Sequence, residues 1–151
     1  MMTDTAGSVT SATCPLCTTP LPGELVRTGK WAVIDAHDPL FPGFTRVIWL
    51  AHVAEMTDLN EHDQQTLMQI VFTVESVMRS TLAPDKINLA SLGNQVPHLH
   101  WHVIPRWQAD ASFPGSVWSP GDDTDKARQR RATVQGALKD YHQALIQRLT
   151  S

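Results

Sequence analysis

After Asn60 the apolar positions Leu67, Ile70, Val71, Val74, Val77 and Met78 recur three and four residues apart, forming one stripe along an amphipathic helix. Asn60 is a suitable N-cap, and Pro84 stops the helix. Elsewhere the pattern shortens to the alternation and β-branched content of strands. Residues 25–28 and 31–35 read as a hairpin around Gly29-Lys30, and TRVIWL at 45–50 reads as a strand after the proline-broken loop 37–43. Residues 86–92 predict another strand. The Gly93-Asn94 turn leads to a last strand over 98–104, which Pro105 ends. A loop rich in Pro, Gly and Trp precedes helical composition over 124–149. The expectation is an α+β fold: an antiparallel sheet of about five strands, one long helix between strands, and a C-terminal helix. Residues 1–13 are small and polar without periodicity and read as a flexible leader, whereas 14–151 read as a single domain.

Composition narrows the function classes. A chain of 151 residues with 42% apolar and 18% charged residues has the size and core material of one globular domain, and is not a disordered chain. Its net charge of −3 lacks the basic excess of a nucleic-acid polymer binder, while leaving a single nucleotide open as a partner. No apolar run is long enough for a transmembrane helix, so no membrane partner is expected. The first residues carry neither a basic nor an apolar stretch, so no signal peptide is expected, and the expected location is the cytoplasm. The two cysteines, Cys14 and Cys17, are too few for a disulfide scaffold.

Three of the seven histidines fall in the segment HLHWHVI, at positions 98, 100 and 102. On a continuous strand these three share one face, while Leu99, Trp101 and Val103 share the other. Same-face neighbours are then about 6.6 Å apart, so one ion cannot reach all three rings, and the histidines must divide their labour. Burying three imidazoles side by side is costly unless each finds partners, which favours a working site over a packed core. A neutral imidazole near pH 7 is a competent nucleophile toward phosphorus, and its neighbours can orient it, bind oxygens or protonate a leaving group.

HLHWHVI resembles the His-x-His-x-His signature of the histidine triad (HIT) family, specifically its bacterial zinc-binding, diadenosine-tetraphosphate-hydrolase-like type. The likeness extends through KINLASLGNQVP, FPGFTRVIWLAHV, PRW and FPGSVW, over roughly 14–118. It implies a HIT-like fold over 14–151, usually homodimeric, and a hydrolase or transferase cleaving at the α-phosphate of nucleoside polyphosphates or phosphoramidates through a nucleotidyl-histidine. It makes His100 the nucleophile and gives His102 phosphate contact or leaving-group assistance. It also places Asn88 near the phosphate, Asp35 on the ribose hydroxyls, and Asn94 or Gln95 beside the phosphate. Phe44 stands where many relatives have a histidine, and the loop before the triad is one residue short. Those departures keep a rival open: a non-catalytic nucleotide-binding regulator of the same fold. A polyphosphate substrate would bring a divalent cation with it, though no acidic cluster in the chain demands one.

By itself the Cys14-Pro-Leu-Cys17 motif is half a zinc site, a redox dithiol or two small apolar residues, although the βαβ context of a thioredoxin-like dithiol is absent. The resemblance implies the first: in such bacterial relatives the pair joins a histidine after the third strand, here His52, and the first histidine of the triad, here His98. Zinc on Cys14, Cys17, His52 and His98 would be structural, being closed by four protein ligands. Zinc acting catalytically on water is the competing reading. His37, His62 and His142 are expected on solvated surface, and Trp31, Trp49 and Trp101 in the core. Trp118 is expected either at the site, against a partner chain, or in packing.

Overall fold

The computed structural model describes residues 11–151, so the leader expected over 1–13 lies, as far as residue 10, outside the described residues. Five strands form one antiparallel sheet: β1 (Glu24–Arg27), β2 (Trp31–Asp35), β3 (Thr45–Trp49), β4 (Lys86–Ala90) and β5 (His100–Arg106). Their spatial order is β1-β2-β3-β5-β4. Helix α1 (Glu61–Leu82) connects β3 to β4, and α2 (Asp125–Thr150) follows the sheet. The α+β expectation, its element order and its strand count all hold.

Local chemistry explains the boundaries. The Asn60 side chain accepts from the Asp63 backbone N–H at 2.8 Å, satisfying one of the helix's free donors, and Asp63 and Glu61 add acid to the first turn. At the other end Ala83 turns into the left-handed region at φ 48 and donates to the Arg79 carbonyl, with Pro84 just beyond. The turn into β3 requires Gly43: its φ is +88, and a Cβ there would lie 2.9 Å from Leu82 Cδ1 and 3.1 Å from Pro105 Cγ.

Strand register sorts the side chains into two faces. Asp35, Thr45 and Val103 are aligned across β2, β3 and β5, as are Ile34, Arg46 and His102. The first set faces the helices. There Val33, Val47, Trp49 and Val103 pack with Leu67, Val71, Val74 and Met78 of α1 and with Tyr141 and Leu145 of α2. Trp31 and Trp49 are in this core as expected, and Trp101 packs against it. The second set faces away from the helices and carries Ala32, Ile34, Ile48 and the two later histidines of the triad.

Two expectations about β5 are corrected. The strand begins at His100, not His98, because the Leu99 N–H turns away to the Val53 carbonyl, and only its carbonyl still meets β3, accepting from the Trp49 N–H. Pro105 does not end the strand, which runs on to Arg106. Pairing with β3 stops at Val103, so Pro105 has only β4 beside it, an edge-like position that tolerates a missing N–H. Strand β4 ends at Ala90, short of Leu92.

Leu67 is fully buried in the α1 stripe between sheet and α2. Leu67→Ala is expected to cost about 2–5 kcal/mol, depending on how far the cavity collapses; urea unfolding followed by circular dichroism reads this as a lower midpoint at unchanged slope.

Candidate active site and metal centre

The two ends of the histidine segment face different tasks, and backbone carbonyls assign them. The His98 Nε2–H donates to the Trp49 carbonyl at 2.5 Å, which leaves Nδ1 as the lone-pair nitrogen. The His100 Nδ1–H donates to the His98 carbonyl at 2.5 Å, which leaves Nε2 as its lone-pair nitrogen. Adjacent members of the triad are thus held in opposite tautomers.

His98 Nδ1 points into a cluster with Cys14, Cys17 and His52. It lies 3.4 Å from Cys14 Sγ, 3.5 Å from Cys17 Sγ and 3.2 Å from His52 Nδ1, while Cys17 Sγ lies 3.3 Å from His52 Nδ1. All four ligand atoms fall within 4.8 Å of one another. A tetrahedral zinc ion with ordinary bond lengths sets its ligands ~3.4 Å apart for N···N and ~3.6 Å for S···N, so the cluster fits zinc. Cys14 and His98 are buried, at 2% and 0% exposure, and the Trp49 carbonyl is the outer partner that metal-binding imidazoles require. Cys14 precedes and Cys17 ends the 3-10 turn Pro15–Cys17, while His52 and His98 come from the segments after β3 and before β5. All four residues singled out in the sequence converge.

His100 and His102 lie on the sheet face away from the helices. Their rings meet edge to face with centroids 4.9 Å apart. His102 also touches Phe44 at 5.4 Å and Trp118 at 5.1 Å, so the residue after the Pro-Gly turn and the later tryptophan both frame it. Burial, then His100 and then Arg46, push the His102 imidazolium down to about 3, so the ring is neutral near pH 7. Its Nδ1 is buried without a hydrogen-bond partner. Burial also lowers His100, with the Arg46 charge acting in the same direction and the bond to His98 opposing it. Trp118 is half exposed and belongs to this site; Phe41 and Phe44 are buried with Ile104 beside it.

Asn88 stands on the same face, where its Oδ1 accepts from Arg106 Nη1 at 2.8 Å. Arg106, 2% exposed, also donates to both carboxylate oxygens of Asp110, at 2.8 and 3.1 Å, and to the Gly115 carbonyl at 2.8 Å. Asp110 in turn accepts from the N–H groups of Trp107, Ser112 and Phe113. Burial would raise its carboxyl, but the Arg106 bond and these three backbone donors outweigh that and hold it below the usual carboxylate range. This network anchors the loop that ends in Trp118. Neither Arg106 nor Asp110 was singled out in the sequence, where the only signal is the spacing of a basic and an acidic residue around PRWQAD.

The structure does not bring Asp35 to the histidines. By register it shares the helix face with Thr45, and its carboxylate accepts from His37 N–H at 2.8 Å and lies 3.6 Å from His142 Nε2 on α2. Ala36, the next residue, is the one that packs with Phe41, Phe44 and Ile104. His142 is correspondingly a correction: its ring is largely covered against Asp35, and burial lowers its pKa, whereas His37 and His62 are exposed as expected. Asn94 and Gln95 are exposed in the loop between β4 and β5.

This geometry has clear relatives. A family model, the HIT domain, matches residues 25–109, more than half of the chain, which therefore belongs to the HIT-domain family. An AP-4-A phosphorylase of Mycobacterium tuberculosis is 31% identical over 99 residues, covering 60% of this chain and 50% of the relative. An asymmetrical bis(5'-nucleosyl)-tetraphosphatase of Schizosaccharomyces pombe is 31% identical over 98 residues, covering 62% and 54%. The chain thus spans about half the length of the curated relatives it matches. Among solved structures, a histidine triad protein of Marinobacter aquaeolei superposes with TM-score 0.62 at 28% identity, covering 81% of this chain and 89% of that one. A zinc-bound histidine triad family protein of Mycobacterium smegmatis shares the fold, with TM-score 0.57 at 23% identity, covering 89% and 99%. No helix among the described residues is long and apolar enough to cross a membrane.

Removing the charge of Asp110 strands a buried guanidinium. Asp110→Asn is expected to cost about 3–5 kcal/mol in chemical denaturation. The folded carboxyl lies below its unfolded range, so its contribution is complete above the unfolded pKa and fades as pH falls through the folded one. Repeating the melt from pH 7 to pH 3 is therefore expected to narrow the gap between parent and variant.

Proposed function

We propose that this protein is a nucleotide hydrolase or transferase working at the α-phosphate of nucleoside polyphosphates or phosphoramidates, through a covalent nucleotidyl-His100 intermediate. The observation that carries this reading is the His100 tautomer: with Nδ1–H engaged by the His98 carbonyl, the lone pair resides on Nε2, beside a second neutral imidazole. In the first step Nε2 forms a bond to the α-phosphorus, and the bond to the leaving group breaks with its electron pair. The leaving group takes a proton from solvent or from a neighbouring acid. In the second step an acceptor oxygen attacks phosphorus, the P–N bond breaks, and His100 is restored. Water as acceptor releases a nucleoside monophosphate, while inorganic phosphate would release a nucleoside diphosphate; the two curated relatives bear names of both kinds.

The supporting residues follow from the same geometry. Arg106 occupies Asn88 Oδ1, which turns the amide N–H groups into the donors left for a phosphate oxygen. His102, beside His100, takes the role of phosphate contact or assistance to the leaving group, and Asn94 or Gln95 supplies a donor from the preceding loop. Asp35 has no part in this reading, because it stands on the opposite face. Zinc on Cys14, Cys17, His52 and His98 would fasten the N-terminal loop to the start of β5 and fix His98, whose carbonyl in turn orients His100. Its role there would be structural, since four protein donors would leave no position open for substrate or water. Use as a homodimer in the cytoplasm, with a divalent cation carried by a polyphosphate substrate, completes the proposal. A non-catalytic nucleotide-binding role remains the rival, favoured by Phe44 in place of a polar side chain beside His102.

Two experiments test this reading. With a substrate radiolabelled at the α-phosphate, acid-labile label is expected on the parent protein and absent from His100→Ala; binding without label or turnover on either protein would establish the rival. Elemental analysis of the purified protein is expected to find zinc close to equimolar with the chain and to lose it in Cys14→Ser. Chelation is expected to lower the thermal midpoint, because metal binding and folding are coupled.

A further inference from the structure

Three arginines sit on the face of the sheet that carries His100 and His102; Arg27 on β1 pairs with Glu24, and the two nearer the histidines differ in their circumstances. Arg106 is fully engaged by Asp110, Asn88 and the Gly115 carbonyl. Arg46 has no ion pair among the described residues, and its Nε is buried with no hydrogen-bond partner. Its neighbours across the ladder are Ile34 on β2 and His102 on β5, neither of them anionic. Its guanidinium carbon lies 5.5 Å from the centre of the Phe44 ring, a contact that places the cation beside the aromatic wall of His102. The carboxylate that influences it, Asp38, is engaged with the N–H groups of Leu40 and Phe41.

A partly buried guanidinium with unmade donors is a costly feature in an apolar sheet face. Its planar fork suits the non-bridging oxygens of a phosphate group, and its position opposite His102 puts it within one cross-strand step of the imidazoles. We propose that Arg46 is the phosphate-binding cation of the His100–His102 site, contacting substrate directly and supplying the positive charge that Phe44, standing after the Pro-Gly turn, does not. The proposal rests on the nucleotide reading above but is separable from it, because an inorganic polyanion probes the cation without a nucleoside. The signal in the sequence is a charged residue at the second position of TRVIWL, where alternation sets it on the face opposite Val47 and Trp49.

The test compares the full-length parent with Arg46→Met and Arg46→Lys, using titration calorimetry with AMP, adenosine and inorganic pyrophosphate. Arg46→Met is expected to weaken AMP and pyrophosphate by roughly 10- to 100-fold, leave adenosine within about twofold, and melt no lower than the parent. Arg46→Lys is expected to recover part of the loss. Equal loss of AMP and adenosine, unchanged binding of all three, or a markedly lower melting point in Arg46→Met would overturn the assignment and make Arg46 structural. If the parent binds pyrophosphate through Arg46 but binds neither AMP nor adenosine, the anion site stands and the nucleotide reading falls. A parent that binds no probe overturns both.

Discussion

The carbonyl oxygens of Trp49 and His98 each hold one imidazole of the triad, and the working parts of the molecule depend on that pair of hydrogen bonds. The first takes the Nε2–H of His98 and turns its other nitrogen toward Cys14, Cys17 and His52. The second takes the Nδ1–H of His100 and leaves the opposite nitrogen with the lone pair. Two residues of the same type, separated by Leu99, thereby acquire different chemistry from main-chain geometry alone. The arrangement also links the two centres mechanically: whatever fixes His98 in the cysteine cluster fixes the carbonyl on which His100 is oriented.

Buried charge is used in two ways on the same sheet face. Arg106 and Asp110 satisfy one another and five further polar groups, and their energy goes into holding the loop that carries Trp118 against His102. A pair so enclosed is costly to break from either side, which makes it a reliable support. Arg46 is the reverse case, a cation whose surroundings leave donors unused. Stability would be served by an apolar side chain there, so its presence is most economically explained by something the free protein does not contain.

Much of this was legible in the chain. The α1 stripe with its Asn60 cap, the strand alternation and the proline stops are local signals, set by 3.6- and 2-residue periods and by backbone sterics. The clustering of Cys14, Cys17, His52 and His98 was also legible, through the likeness of the motif to a family pattern, since spacing alone left Cys14 and Cys17 with several readings. Reading HLHWHVI as one unbroken strand fails at Leu99, since nothing local reveals that its N–H leaves β3 for the Val53 carbonyl.

Sequence periodicity by itself determined the elements, their order and the apolar faces, because those depend on residues a few positions apart. Tertiary structure decided which face each polar side chain joined. Asp35 and Ala36 are adjacent in the chain, yet β2 pairing sends the carboxylate to α2 and His142 and the alanine to the Phe44 cluster. Arg46 and His102 are far apart in the chain and become neighbours only through the register of β3 on β5. A one-residue slip would reverse every such assignment, and register is set by the packing of the whole sheet against its helices.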